Sequence, residues 1–193
     1  MKKICIIGVG RQGSAAAYDI LKFENPKELL LLDINEESLK NCLNKINIIK
    51  PENTKIVCDV IDFNDSRKLI ELLKPMDIFL SAVPYQFNLQ LTEIAISSKT
   101  SMVDLGGHTQ NVIKQLDFNE QAKNNNICIV PDCGMGPGMN ISMALLAMES
   151  LDIPKDVYVW DGGLPKFPKS PWNYSLFFNI KGLTNEYDGN AYF

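Results

Sequence analysis

Three glycines in the run Gly8-Val9-Gly10-Arg11-Gln12-Gly13 have the spacing of a phosphate-cradling turn. In such a turn the first glycine makes the tight bend, the second lets backbone approach a pyrophosphate, and the third lets a helix pack closely on a strand. The amides at the start of that helix, around Arg11 and Gln12, would then face the anion. Asp33 follows Gly13 by 20 residues, where a carboxylate can accept hydrogen bonds from the adenosine ribose. The same acid would repel a 2′-phosphate, and Ile34 and Asn35 supply no arginine to receive one. The pattern therefore predicts NAD rather than NADP. The alternative for Asp33 is a turn residue closing a strand.

Further along, Val83-Pro84-Tyr85 follows an apolar strand-like run and would face the crevice where ligands bind in open α/β sheets. Asp59 and Asp62 follow another such run, and two readings stay open for them: contacts to the adenosine half of a cofactor, or solvated loop acids. Two later runs, 104–108 with Asp104 and His108, and 131–138 with Asp132 and Cys133, should open onto the same crevice. Oxidising an amine needs a group that removes a proton as hydride leaves, and these four are the candidates. His108 has the alternative of a loop histidine bonded to backbone, and Cys133 that of a packed thiol. The glycines at 134, 136 and 138 are expected to shape a helix N-terminus for an anionic group, with a purely structural turn as the alternative.

The elements that must position these residues alternate regularly. Apolar runs at 3–7, 29–33, 55–60, 77–82, 101–105 and 127–130 read as strands buried on both faces. Helical spacing recurs at 14–23, 36–46, 65–73, 87–98 and 112–124. A strand–helix series of this kind predicts an α/β fold, a doubly wound parallel Rossmann sheet over residues 1–138. From 139 onward the pattern changes: a helix over 139–151, then strand-like stretches at 157–161 and 174–181. This predicts part of a smaller α+β substrate domain over 139–193, short for an independent core.

Composition bounds the partners. With 46% hydrophobic and 22% charged residues the chain reads as globular. A net charge of −4 offers no broad positive field, so nucleic acid and anionic membranes are not expected partners, and no apolar run is long enough to span a bilayer. The five cysteines show no metal-type spacing, and three lie in apolar runs where a reduced thiol packs as a small hydrophobe, which fits a cytoplasmic protein. An S-adenosylmethionine methyltransferase also uses a glycine turn and an acid after its second strand, but the third glycine and the 130–138 run argue against it.

Four segments, Val-Asp-Leu-Gly-Gly-His at 103–108, the run at 130–140, Trp-Asp-Gly-Gly-Leu-Pro at 160–165 and Pro-Trp-Asn-Tyr at 171–174, together resemble the saccharopine dehydrogenase-like family, in particular its lysine-oxidising members. The resemblance implies NAD-dependent oxidation of the lysine ε-amine by a homodimer or higher homo-oligomer. It places Asp104, Asp132 and Cys133 at the site, and Gly162, Gly163, Asn173 and Tyr174 in the substrate domain. His108 departs from the neutral, asparagine-like residue expected there. Members of the family are longer, and residues 190–193 read as a turn into another strand, so only part of the substrate domain is expected here. The other implied possibilities are a saccharopine- or carboxynorspermidine-type reductase and a non-catalytic NAD-binding fragment.

Overall fold

The computed structural model describes residues 2–176 and 180–185. Its chain divides into two compact units, Met1–Asp132 and Cys133–Phe193.

In the first unit, strands β1 (Lys3–Ile7), β2 (Glu28–Asp33), β3 (Lys55–Val60), β4 (Ile78–Ser81), β5 (Ser101–Asp104) and β6 (Ile129–Val130) form one sheet in the order β3-β2-β1-β4-β5-β6. Every pairing is parallel. Helices α1 (Arg11–Phe23), α2 (Glu36–Ile46), α3 (Ser66–Leu73), α4 (Asn88–Ser98), α5 (Thr109–Leu116) and α6 (Asn119–Asn124) connect the strands. The doubly wound Rossmann architecture predicted from the alternation is thus present. Because β1 pairs with both β2 and β4, the winding reverses there and leaves a crevice at the strands' C-terminal ends.

Strand side chains alternate between two cores. Ile6, Leu29 and Leu31 pack with Ala17 and Leu21 of α1 and with Leu39, Cys42 and Ile46 of α2. Cys5, Ile7, Leu30 and Leu32 face the other way, against Leu69 and Leu73 of α3 and Leu91, Ile94 and Ala95 of α4. Both faces of β1 and β2 are therefore dry, which is why these strands read as unbroken apolar runs. Helix starts follow local chemistry. The Asn35 side chain accepts from the amides of Glu37 and Ser38 to cap α2, and Asp65 accepts from Lys68 to cap α3.

In the first unit the last predicted helix differs from expectation. The single helix predicted over 112–124 is two helices, parted at Asp117 and Phe118, and α5 begins three residues early because His108 caps it. Imidazole is an uncommon cap, so the sequence carried no start signal there.

In the second unit, α7 (Met139–Glu149) is followed by irregular chain and α8 (Ile180–Asn185). The strand expected over 157–161 is absent, and the second stretch gives way to helix from Ile180, residues 177–179 lying outside the described residues. Alternating apolar residues make a strand only where a neighbouring strand satisfies their backbone, and none of the described residues here supplies one. The turn expected at 190–193 also lies outside the described residues. Among the described residues no helix is long and apolar enough to cross a membrane.

Candidate active site

The glycine turn sits between β1 and α1. Gly8 is left-handed at φ +88°, and its amide donates to the Leu32 carbonyl at 2.7 Å. A Cβ on Gly13 would overlap the Gly8 carbonyl oxygen, so helix and turn touch backbone to backbone. At Gly10 the situation reverses, for a Cβ would meet nothing within 4 Å. The turn thus presents bare backbone to open space at the N-terminus of α1, whose first turn carries no acid to compete with an anion. Gly10, Arg11 and Gln12 are exposed at this opening, and Gly13 is buried beneath it.

Asp33 ends β2 beside the turn and is 9% exposed. One carboxylate oxygen accepts from the Val9 amide at 2.8 Å, and the other from Asn35, also at 2.8 Å. Each oxygen keeps a second lone pair for another donor. Beneath the turn, the Ser14 hydroxyl donates to the Val9 carbonyl at 2.8 Å. A dinucleotide fits this arrangement: bare backbone at Gly10 leaves room for a pyrophosphate, and Asp33 is bonded to the neighbouring Val9 amide.

Across the crevice, Val83 packs so near Gly8 that a Cβ there would come within 2.7 Å of its side chain. Pro84 leads into a 3-10 turn over Tyr85–Phe87. The Tyr85 ring stacks on His108 with centroids 5.0 Å apart and planes at 15°. Asn111 ties the two loops by donating to the Tyr85 carbonyl at 3.0 Å. His108 Nδ1 accepts from the Asn111 amide at 3.3 Å, so the loop-histidine alternative describes what this ring does at Nδ1.

The two acids beyond β5 and β6 meet. Asp104 is wholly buried; one of its oxygens accepts from the Gly106 amide at 2.7 Å and the Asp132 amide at 3.2 Å, and the other from Gln115 Nε2 at 2.8 Å. With no exposed surface, Asp104 holds the loops rather than touching substrate. That alters the catalytic role expected for it from sequence. Asp132 is half-buried and left-handed at φ +58°, with its carboxylate against Gly106. Burial pushes the Asp132 carboxyl above the usual range, the Asp104 charge adds to this, and the Gly107 amide pulls the other way. The sequence signal for Gln115 is positional, a polar residue on the helix face that Val112 shares.

A carboxyl raised in the folded state contributes stability below its unfolded pKa, lost as pH rises through the folded value. Asp132→Asn, which tolerates the left-handed backbone, should therefore gain stability relative to the parent as pH climbs through that window. Urea midpoints of both proteins against pH read this, and a constant gap would contradict it.

Residues 4–130 match the family described as the saccharopine dehydrogenase NADP binding domain. The chain belongs to this family. Its first unit is thereby an NAD(P)-binding domain. Among solved structures, the chain is similar to apo saccharopine dehydrogenase (L-Glu forming) from Saccharomyces cerevisiae, with 17% identity and a TM-score of 0.60. That match covers 78% of this chain and 30% of the yeast chain, so the sequence spans under a third of that relative's length. Similar too are UDP-N-acetylglucosamine 3-dehydrogenase from Acidithiobacillus ferrooxidans, at 12% identity and TM-score 0.54 over 77% of this chain and 42% of that one, and a probable dehydrogenase from Thermotoga maritima, at 17% and 0.53 over 77% and 41%. These likenesses show the fold.

The other residues singled out in the sequence of this saccharopine dehydrogenase family member have the following surroundings. Asp59 pairs with Lys68 at 3.0 Å on the surface, and Asp62 accepts from the Asn64 amide at 2.9 Å. Cys5 and Cys42 are buried, and burial raises both thiols; Cys58 is pushed up to about 11. Cys133 is exposed and opens the second unit. There the glycines close a structural turn: the Met139 amide donates to the Gly134 carbonyl at 2.8 Å, and a Cβ on Gly138 would overlap the Gly134 backbone. A Cβ on Gly136 would meet the Asp161 carboxylate, and the Met139 and Asn140 amides at the start of α7 are taken by the Gly134 and Met135 carbonyls. The unit has a groove of about 560 Å³ lined by methionines of α7 with Tyr158 and Trp160, and none of Gly162, Gly163, Asn173 and Tyr174 lines it. Gly162 and Gly163 face open space, and Asn173 is left-handed at φ +52° with its amide on the Lys169 carbonyl.

Proposed function

We propose that this chain is the NAD-binding part of an oxidoreductase that acts on the amine of an amino acid, of the lysine 6-dehydrogenase type, with lysine as the leading substrate. The observation that carries the reading is the open glycine turn with the Asp33 carboxylate bonded to its Val9 amide. Gly8, Gly10, Gly13 and the start of α1 would hold the pyrophosphate, Asp33 the adenosine ribose, and Val83, Pro84 and Tyr85 would flank the nicotinamide. When bound, NAD supplies the acceptor for the hydride leaving the carbon that bears the amine. Asp132, kept basic by burial and by Asp104, takes the proton that the amine loses. The product imine reacts with water to give aldehyde and ammonia, which balances the reaction. The preference for NAD over NADP rests on Asp33, whose charge opposes a 2′-phosphate.

The test is direct. Titrate the protein with NAD and NADP, then incubate it with NAD and a panel of amino acids while following nicotinamide absorbance. Turnover with lysine and tighter binding of NAD support the reading. Turnover with saccharopine would redirect it to that reductase type, and NAD binding without any turnover would favour a non-catalytic module.

A further inference from the structure

A chain of buried polar contacts runs beneath the crevice. The Ser81 hydroxyl at the end of β4 donates to Asn88 Oδ1 at 2.8 Å. The Asn88 carbonyl accepts from the Thr92 hydroxyl at 2.9 Å, and Thr92 accepts from Gln115 Nε2 at 3.0 Å. Gln115 also donates to Asp104 at 2.8 Å, and Asp104 in turn takes the amides of Gly106 and Asp132. Every side chain in this chain of bonds is buried, Gln115 at 3% exposure. The network ties the ends of β4 and β5 to Asp132, two residues past β6.

Gln115 bears a cost in this position. Its Oε1 is buried without a hydrogen-bond partner, whereas an apolar side chain of similar volume would carry no such atom. What the amide contributes is its donor. A neutral donor to a buried carboxylate makes a charge-assisted bond and occupies the oxygen that the loop amides leave free.

We propose that Gln115 is a positioning residue: by holding one oxygen of Asp104 it keeps the other on the Gly106 and Asp132 amides, and so fixes the Asp132 carboxylate at the C-terminal edge of the sheet. Its purpose rests on the proposed function, in which Asp132 accepts a proton, but its geometry does not. The ionisable group that bears on Asp132 is Asp104 from β5, and the loop after β5 adds the Gly107 amide. Disturbing Asp104 should therefore be read directly at Asp132.

The experiment is a carbon-13 carboxyl NMR titration of the full chain, with Asp132 assigned by comparison with Asp132→Asn. In the parent, Asp132 should titrate above ordinary aspartates. Asp104→Asn removes the neighbouring charge at nearly constant shape and should move that titration down. Gln115→Met, similar in length but without the donor, should also move it down as the loop loosens and Asp132 gains water. Thermal unfolding and NAD titration of the same samples report whether each variant is folded. An Asp132 titration unchanged in folded Gln115→Met overturns the proposal; if that variant does not fold, Gln115→Leu takes its place and an unchanged titration there overturns it. Absence of amine oxidation in the parent, with these shifts intact, would sink the proposed reaction and leave the positioning role standing.

Discussion

Alanine at Gly10 and alanine at Gly13 should separate binding from folding. At Gly13 the added methyl overlaps the carbonyl oxygen of Gly8, a backbone atom that no rotamer change can move aside. Ile6 crowds the same point at 3.3 Å. Relief requires α1 to lift from β1, which opens the core formed by Ala17 and Leu21. Overpacking of side chains alone costs about 1–3 kcal/mol, and a backbone overlap belongs at or above the top of that range. Gly13→Ala is therefore expected to lower the unfolding midpoint clearly and to abolish measurable NAD binding. At Gly10 the methyl enters empty space, and the backbone there has negative φ. Stability should fall by only about 0.5–1.5 kcal/mol, because alanine is a poorer helix cap than glycine. Affinity should nevertheless fall by about 10- to 100-fold, because the methyl stands where the pyrophosphate must approach and imposes about 1–3 kcal/mol of crowding. Thermal melts and NAD titrations of both variants read the contrast. A folded Gly10→Ala protein with unaltered affinity would show that no phosphate uses this turn.

Much of the first unit could be read directly from residue pattern. Strands such as Lys3–Ile7 and Glu28–Asp33 fall close to where the apolar runs place them, because a sheet covered on both faces leaves little polar interruption. Helices α2 and α3 begin at Asn35 and Asp65, whose short side chains cap them by a mechanism visible in the sequence. The second unit gave weaker guidance. Val157 and Val159 alternate as a strand would, yet strand formation is settled by the neighbour that accepts the hydrogen bonds, and that information is not local.

For the site, residue type announced the carboxylates but not the division of labour between them. Asp104 and Asp132 look alike in sequence; only the sheet shows that the first is wholly buried and the second half-buried beside it. Gln115, Thr92 and Asn88 carry no such signal, because a polar residue on an amphipathic helix ordinarily faces water. The clue was positional, since Asn88 and Thr92 are four apart on the face that carries Leu91 and Ala95. The glycines after Pro131 mislead for a related reason: Gly134 and Gly138 look like an anion cradle, but the backbone of each fills the space beside the other.

Asp33→Ala is expected to weaken NAD binding by about 1.5–3 kcal/mol, the range for hydrogen bonds to a charged group, which is roughly 10- to 150-fold. In the proposed function the carboxylate has two tasks, and the variant removes both. It loses the acceptor for the ribose hydroxyls, and it leaves the Val9 amide inside the glycine turn without the partner it now has at 2.8 Å. Asp33→Asn separates the tasks: an amide oxygen can still accept from Val9, but the charge is gone. If the carboxylate acts chiefly through ribose, Asn should bind NAD nearly as poorly as Ala; if it acts chiefly by shaping the turn, Asn should recover most of the affinity. Charge also governs the choice of cofactor. Without the negative group the repulsion of a 2′-phosphate disappears, while Ile34 and Asn35 still offer it no cation. NAD affinity should therefore fall while NADP affinity holds or rises, bringing the two together rather than reversing them. Isothermal titration of the parent and both variants with each cofactor measures this directly. Undiminished NAD affinity in a folded Asp33→Ala protein would remove this carboxylate from the site, and with it the case for NAD over NADP.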